Sequence, residues 1–280
     1  MILLSRRTAV SNRKAHEIVH IQTILLRSNR PLNKIAIVAA LHREIHPLVK
    51  HWPSTKILHD GRTFTFYEGD YAVAVCGGIG AEYARRAAEA AIAHYSPSLI
   101  ISAGIAGALV PDLKVGDTIF PAVVIDMKDG SRRPSAIQQT AIARSPLSRT
   151  LLLTHSEMAS VEQKHQLAKS YGAHAVDMEA AEVARSAELH NLPFIAIKSI
   201  SDEVNFAMPE MERFIRAGRF KTGSFLVYIA LRPWLWIFVI QLARNTRIAA
   251  DNLCSWLRSG VLTNTIVPGG ARGDAHIPKT

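Results

Sequence analysis

Three apolar runs in this sequence are each followed by residues that could do acid–base chemistry. The runs lie at 34–41, 173–176 and 194–199. The residues that follow them are, in chain order, Glu44, Asp177-Met178-Glu179 and Ser201-Asp202. A positioned carboxyl group can donate or accept a proton in a transition state, and a carboxylate accepts hydrogen bonds. These positions are therefore candidates for general acid, general base and binding residues.

Two glycine-rich segments follow other apolar runs, namely 77–80 (GGIG) and 104–107 (GIAG). A glycine turn can leave backbone N–H groups free, so 104–107 is expected to form a turn that holds an oxyanion or a hydroxyl group. Each feature taken alone has a structural explanation. Glycine turns mostly reverse the chain, and an acidic residue at a helix start is commonly a cap or a dipole partner. Their joint placement after strands favours a functional site.

The elements that must position these residues alternate between apolar strands and helices. Helical spacing appears at Ala81–Tyr95, Val161–Tyr171 and Glu179–His190. Strands are predicted at 34–41, 71–76, 98–103, Asp117–Ile125, Leu151–Leu153, Ala173–Val176 and Phe194–Ser199, with Pro121 marking an edge or a bulge. This alternation predicts an α/β fold, a single domain with a mixed, largely parallel central sheet flanked by helices. Ligands of such sheets bind beyond the carboxyl ends of the strands, so the carboxylates are expected to converge on one rim.

Composition narrows the class of protein. The chain has 280 residues and a net charge of +10, but the excess of basic residues lies in residues 1–32 and 215–280. The central part is slightly acidic, so we expect no nucleic-acid partner, although basic chains often have one. Cys76 and Cys254 are the two cysteines. They form no metal-binding spacing and no disulfide framework, which predicts a reducing compartment, and Cys76 is expected to be a buried thiol.

Five segments resemble the nucleoside phosphorylase superfamily, and its 5′-methylthioadenosine/S-adenosylhomocysteine nucleosidase branch most of all. They are AIVAALHREI at 36–45, GGIG at 77–80, SAGIAGAL with LKVGD at 102–117, AVDMEAAEVA at 175–184 and PFIAIKSISDE at 193–203. The resemblance covers roughly two thirds of the chain, and VDMEAA with ISDE is its specific part. It implies cleavage of the N-glycosidic bond of a purine nucleoside such as 5′-methylthioadenosine or S-adenosylhomocysteine, with no cofactor and no metal.

The resemblance also implies roles for individual residues. Asp202 matches the general acid that protonates the leaving purine, with Ser201 orienting it. Glu179 matches the residue that holds the ribose hydroxyls, and Met178 would pack on the ribose. Glu44 matches the residue that activates the attacking water. Gly107 and Ala159 match positions whose backbone contacts the substrate.

Three departures from the family pattern concern the site. Ile105 stands where the family usually has Ser or Thr, so the pocket for the nucleophile is altered. Lys198 stands where an arginine is usual, which keeps the charge but loses the planar fork. The segment between Met127 and Thr154 is short. These departures leave open a purine-binding protein without activity, whereas the retained Asp202, Glu179 and Glu44 favour an enzyme.

The segment after the first strand indicates whether water or phosphate is the nucleophile. Phosphorylases of the superfamily carry an arginine-bearing Gly-Asp-Pro-type loop there, whereas this chain has ALHREI with Glu44. An acid suits activation of water and repels phosphate, so hydrolysis is predicted. Phosphorolysis stays open because Arg43 could turn inward.

The C-terminal part predicts a second property. Residues 224–242 are mostly apolar but carry Arg232-Pro233 in their middle, which argues against a membrane span. Residues 233–258 are instead expected to contact the cytoplasmic face of a membrane peripherally. The alternatives are a homodimer interface, which the resemblance also implies, or a helix packed on the sheet. The same extension resembles a hopanoid-pathway branch whose members release adenine from an adenosylated lipid.

The sequence therefore divides into four predicted segments. Residues 1–32 form a basic extension that is poorly ordered and lacks the pattern of a signal peptide. Residues 33–231 form the catalytic domain, residues 232–262 an apolar and basic helical extension outside the core, and residues 263–280 a disordered tail. The protein is expected to be cytoplasmic.

Overall fold

The computed structural model describes residues 34–139, 146–207 and 212–262. Its helices are α1 (His42–Val49), α2 (Ala81–Tyr95), α3 (Val161–Tyr171), α4 (Ala180–Leu189), α5 (Thr222–Ala230) and α6 (Trp236–Leu262). Its strands are β1 (Ile35–Ala39), β2 (Ser54–His59), β3 (Arg62–Glu68), β4 (Ala72–Cys76), β5 (Leu99–Ala108), β6 (Thr118–Ile119), β7 (Val123–Asp126), β8 (Arg132–Pro134), β9 (Leu151–Thr154), β10 (Ala175–Asp177), β11 (Phe194–Asp202), β12 (Ile215–Arg216) and β13 (Arg219–Phe220). The predicted extension 1–32 and tail 263–280 lie outside the described residues.

One mixed sheet organises the described residues and confirms the predicted α/β fold. Its strands follow the order β2-β3-β4-β1-β5-β10-β9-β7-β8, and β11 pairs with both β5 and β6. β1, β4, β5 and β11 run parallel to one another, so they end at the same edge. β10 is antiparallel to β5 and pairs with its last residues, Gly107 and Ala108. The last residues of β5 thus pair with a parallel strand, β11, and with an antiparallel strand, β10. The residues that follow β10 therefore reach this end of β5 from the opposite direction.

Helices cover the sheet on both faces. On one face, alanines of α2 and α4 such as Ala87 and Ala184 pack against strand residues in a buried cluster. On the other face, Ile45 of α1 and Leu253 of α6 belong to a second cluster with β1 and β5. The small alanine side chains let α2 and α4 approach the sheet closely.

The second half of α6 corrects the expectation that residues 232–262 lie outside the core. Ala249, Leu253, Cys254 and Leu257 are all at most 1% exposed. They recur at helical spacing, so they form one apolar face that packs on α1 and the sheet. The sequence analysis ended the catalytic domain at residue 231 and missed this later stripe. Within the described residues, no helix is long and apolar enough to cross a membrane.

The segment 104–107 corrects a second expectation, because it is strand and not turn. β5 continues through Gly104 and Gly107 to Ala108 and pairs with β11 along this stretch. The backbone groups there belong to the sheet ladder, so no free N–H turn forms to hold an oxyanion. The two glycines instead leave room for side chains that approach β5.

The sequence did not predict helix α1, the hairpin of β2 and β3, or the short strands β8, β12 and β13. Asp60 and Gly61 connect the hairpin with positive φ angles of 45° and 73°. Two residues at positive φ are typical of the tight hairpin turn that Asp-Gly favours. The predicted strand Asp117–Ile125 is divided into β6 and β7, and Pro121 lies in the break.

Candidate active site

A cavity of about 730 Å³ opens where β1, β5, β10 and β11 meet. It is lined by all the residues that the sequence analysis proposed for the site: Glu44, Ile105, Gly107, Ala159, Met178, Glu179, Ser201 and Asp202. The predicted convergence of the carboxylates on one rim is therefore confirmed. Their roles are taken up as proposals below.

Asp202 is placed by an irregularity at the end of β11. Ile200 pairs with Ala106 of β5 and Asp202 with Gly107, so Ser201 is an extra residue that forms a bulge. A bulge re-aims the side chain that follows it. The Ser201 hydroxyl donates to Asp202 Oδ1 at 2.7 Å. Asp202 is 3% exposed and lines the cavity.

The missing side chain of Gly107 makes room for Asp202. A Cβ atom at position 107 would lie 2.9 Å from Asp202 Oδ2, which is closer than real Cβ contacts. A Cβ atom at Gly104 would lie 3.3 Å from Glu44 Oε2 and 3.5 Å from Lys198 Nζ. The two glycines of β5 therefore let carboxylates and a lysine approach the strand.

Glu179 precedes α4 and is held by the glycine loop 77–80. The backbone N–H of Gly80, a residue with φ of 101°, donates to Glu179 Oε1 at 2.8 Å. Burial, and then the charge of Asp177, raise the pKa of Glu179 to about 7, although Lys198 acts in the opposite direction. Glu179 is therefore divided between its two protonation states at neutral pH.

Lys198 joins the carboxylates of the site electrostatically. Its Nζ lies 2.9 Å from Asp177 Oδ2, and both side chains are buried. Burial alone would lower the pKa of Lys198, but the charges of Asp177 and Glu179 outweigh it and raise the pKa. Asp177 also accepts from the Thr154 hydroxyl at 2.7 Å. This lysine keeps the charge that the sequence analysis expected, and it pairs with an aspartate.

Glu44 lies in the first turn of α1 and is 4% exposed. Burial raises the pKa of this carboxyl group, whereas the charges of Lys198 and Arg43 act to lower it. Helix α6 contacts the helix that carries Glu44, because the Cys254 thiol of α6 lies 3.3 Å from the Glu44 carbonyl oxygen. A buried carboxylate with a raised pKa is a stronger base than an exposed one.

Sequence reasoning missed two parts of the site. The first is Lys164 of α3, which is 1% exposed and forms an ion pair with Asp202 Oδ2. Leu167, three residues later, is also buried, so a lysine on the apolar face of a helix was the available signal. The second is a wall from the C-terminal elements, whose lining residues include Phe220, Phe225, Val239, Leu242 and Thr246.

Cys76 is not a nucleophile in this site. Burial raises its pKa to about 12, so the thiol stays protonated at neutral pH. The thiolate is the reactive form of cysteine. The expected burial of Cys76 is corrected, because the residue is partly exposed, whereas its raised pKa fits a structural thiol.

The family model of the phosphorylase superfamily matches residues 34–157 and 140–221, which include every strand that forms the cavity. The chain belongs to the phosphorylase superfamily. The match agrees with the resemblance seen in the sequence.

Individual members of the superfamily are similar over most of their length. A 5′-methylthioadenosine/S-adenosylhomocysteine nucleosidase of Maridesulfovibrio salexigens is 27% identical over 207 residues, which are 61% of this chain and 87% of the relative. A nucleosidase of the same name from Buchnera aphidicola is 30% identical over 197 residues, which are 60% of this chain and 78% of the relative.

Solved structures show the same fold. A 5′-methylthioadenosine/S-adenosylhomocysteine nucleosidase of Helicobacter pylori superposes with a TM-score of 0.64 at 17% identity, and covers 84% of this chain and 100% of its own. Futalosine hydrolase of Helicobacter pylori gives a TM-score of 0.62 at 18% identity, with 83% and 98% covered. The central sheet and its flanking helices are therefore those of the superfamily.

Proposed function

We propose that this protein hydrolyses the N-glycosidic bond of an adenine nucleoside such as 5′-methylthioadenosine or S-adenosylhomocysteine. The two relatives described above carry the name of that activity. The observation that carries the proposal is the placement of Asp202, Glu179 and Glu44 around one cavity. Bond cleavage needs a proton for the base, support for the sugar and a nucleophile, and these three groups can supply them.

The three carboxyl groups act at different atoms of the substrate. Asp202 delivers a proton to the purine, because a purine anion is a poor leaving group, and such general acid catalysis contributes ~10²–10⁴-fold. Glu179, held by Gly80, accepts hydrogen bonds from the ribose hydroxyls and stabilises a sugar that gains positive charge. Met178 packs on the ribose, while backbone atoms of Gly107 and Ala159 contact the substrate. Glu44 takes the proton of the attacking water.

The charges of the site favour water over phosphate as the nucleophile. Six carboxylates line the cavity, namely Glu44, Glu157, Asp177, Glu179, Asp202 and Asp251. Of the described lysines and arginines, the two that are fully buried are Lys164 and Lys198, and each is paired with an aspartate. Arg43 lines the cavity with an exposed side chain. A phosphate dianion would therefore meet excess negative charge at the centre of the site.

Product analysis distinguishes the two nucleophiles. The purified protein is incubated with 5′-methylthioadenosine in phosphate-free buffer made with ¹⁸O-water, and then again with added phosphate. We expect adenine and a free sugar that carries ¹⁸O at its anomeric carbon in both reactions. A sugar 1-phosphate as the main product, formed only with phosphate, would show phosphorolysis and would assign Arg43 to the phosphate site.

A lipid-linked adenine nucleoside is the second candidate substrate. The cavity wall from α5 and α6 includes the apolar side chains Phe225, Val239 and Leu242. Next to Val239 on α6, Ile237 and Ile240 are 74% and 67% exposed. An apolar cavity wall and an exposed apolar face on one helix suit a substrate whose 5′ group continues into a lipid. Competition between 5′-methylthioadenosine and an adenosine with a long 5′-alkyl chain tests this candidate.

We also propose that the exposed face of α5 and α6 lies on the surface of an anionic membrane, on its cytoplasmic side. Leu231, Trp234 and Ile237 are 71%, 66% and 74% exposed. An exposed apolar patch of this kind marks a membrane or protein contact. Arg244 and Arg247 are exposed on the same helix and could meet lipid headgroups, at about 1 kcal/mol each. A homodimer that buries the patch, which the family resemblance implies, is the other possible outcome.

Flotation with anionic vesicles distinguishes membrane contact from a homodimer interface. Deletion of α6 is unsuitable, because its second half belongs to the core, so the triple variant Trp234→Ser, Ile237→Ser and Ile240→Ser is compared with Leu58→Ser, an equally exposed position on β2. We expect salt-sensitive flotation of the wild type and of Leu58→Ser, and its loss in the triple variant. A dimer by light scattering that ignores vesicles and dissociates in the triple variant would assign the patch to the subunit interface.

A further inference from the structure

Lys164 is a buried charged group that contacts the proposed general acid, and the proposed mechanism gives it no task. It lies on α3, 1% exposed, and its Nζ contacts Asp202 Oδ2. The same Nζ donates to the Glu203 carbonyl at 2.9 Å. A lysine is rarely buried to this extent without a partner that fixes it. Its partner here is the residue from which the base should receive its proton.

The ion pair changes what Asp202 can donate. Asp202 Oδ1 accepts from the Ser201 hydroxyl, and Oδ2 accepts from the Lys164 ammonium. The ammonium of Lys164 is therefore in direct contact with the carboxyl group that faces the base. Of the two side chains that the described structure places against Asp202, a serine hydroxyl is far too weak an acid at neutral pH. The ammonium of Lys164 is the acidic hydrogen within reach.

We propose that Lys164 supplies, through Asp202, the proton that the departing base takes up. This inference rests on the proposed function. Asp202 takes a proton from the Lys164 ammonium, which becomes a neutral amine, and passes this proton to a ring nitrogen of the purine. The C1′–N9 bond breaks as it does so, and the electron pair of that bond goes to the purine. The water oxygen bonds to C1′, and its proton goes to Glu44. Glu44 then releases a proton to solvent and Lys164 gains one, so each turnover consumes one water.

The other charged groups around the cavity are arranged in favour of this path. They are Arg43 and Glu44 on α1, Glu157 before α3, Asp177 in β10 and Glu179 after it, Lys198 in β11 and Glu203 after it, and Arg247 and Asp251 on α6. Lys198 is held by Asp177, and the Glu203 carboxylate pairs with Lys114 at the surface. Carboxylates therefore outnumber the cationic side chains around the cavity. An arginine could not replace it, because a guanidinium does not lose its proton in proteins.

Three variants test the inference through the pH dependence of kcat/KM for adenine release. Lys164→Met removes the ammonium at similar length, Lys164→Arg keeps a charge that cannot be transferred, and Lys169→Met is the control at an exposed position of the same helix. In Lys164→Met the proton must sit on Asp202 itself. The alkaline limb should therefore move to lower pH by roughly two units or more, since carboxyl groups lose protons far below ammonium groups.

The kcat/KM of Lys164→Arg should fall by ~10²–10⁴-fold at neutral pH, because general acid catalysis contributes that much and the guanidinium keeps the charge but cannot give up its proton. Lys169→Met should match the wild type. An alkaline limb of Lys164→Met at the wild-type pH or above would overturn the inference, because Lys164 would then only hold Asp202 in place. If Lys164→Met fails to fold by circular dichroism, a folded Lys164→Arg within fivefold of the wild type would overturn it. A wild-type protein that releases no adenine contradicts the proposed function itself.

Discussion

At the scale of single residues, the site combines carboxyl groups in different electrostatic environments. Asp202 is paired with an ammonium, whereas Glu179 lies near Asp177 and accepts backbone hydrogen bonds from Gly80 and Met178. Two carboxyl groups can serve as acid and base in one reaction when their environments favour different protonation states. The Lys164 ammonium sets the environment of Asp202, whereas burial and then the charge of Asp177 set that of Glu179.

The raised pKa of Glu179 predicts how activity depends on pH. Its pKa is about 7, and the ionised form is the one that accepts hydrogen bonds from the ribose. Activity should therefore be lost as the pH falls through about 7, and Glu44, whose pKa is also raised, should contribute to the same limb. The pH profile of kcat/KM measures this limb as a property of the coupled groups. A profile that stays flat down to pH 5 would contradict the assignment of Glu179.

Gly107 predicts a steric effect on Asp202. In Gly107→Ala, the added methyl group would lie 2.9 Å from Asp202 Oδ2 and displace the carboxyl group. A displacement of about 1 Å can reduce the rate on the order of 10²-fold. Gly223→Ala is the matched control, because a Cβ there meets nothing within 4 Å. Equal rates for the two variants would show that the position of Asp202 is not critical.

At the scale of elements, the sequence predicted α2 and α3 to their ends, because apolar spacing is regular along both. It did not predict β2, whose residues are mostly exposed and give little apolar signal. It misplaced the end of the strand at 98–103, since Gly104 and Gly107 suggest a turn until their pairing with β11 is known. The spacing of apolar residues along the sequence thus locates elements that have one buried face. It does not show which strands pair, because pairing depends on residues that are distant in the chain.

Helix α6 predicts a difference in stability between its two halves. Leu253 is 0% exposed in the cluster with α1 and β1, so Leu253→Ala should reduce the free energy of unfolding by ~2–5 kcal/mol. Ile240→Ala, at a position 67% exposed on the same helix, should change it by less than about 0.5 kcal/mol. Urea unfolding of both variants measures the difference. Similar losses at both positions would mean that the first half of α6 is also buried.

At the scale of the whole molecule, the sequence placed the carboxylates at one rim but not their partners. Lys164 and Asp202 are 38 residues apart, and their ion pair depends on how α3 packs beside the end of β11. The rim itself could be predicted, because parallel strands end together. The charge balance that favours water over phosphate could be derived only once Lys164 and Lys198 were known to be paired.

The most direct test of the account is adenine release from 5′-methylthioadenosine by the wild type and by Asp202→Asn. The asparagine keeps the shape of the side chain but cannot deliver a proton, so the variant should lose ~10²–10⁴-fold in rate while circular dichroism stays unchanged. The wild type should release adenine with repeated turnover in phosphate-free buffer. A folded Asp202→Asn variant within a few-fold of the wild type, or a wild type that binds the nucleoside without cleaving it, would contradict the account.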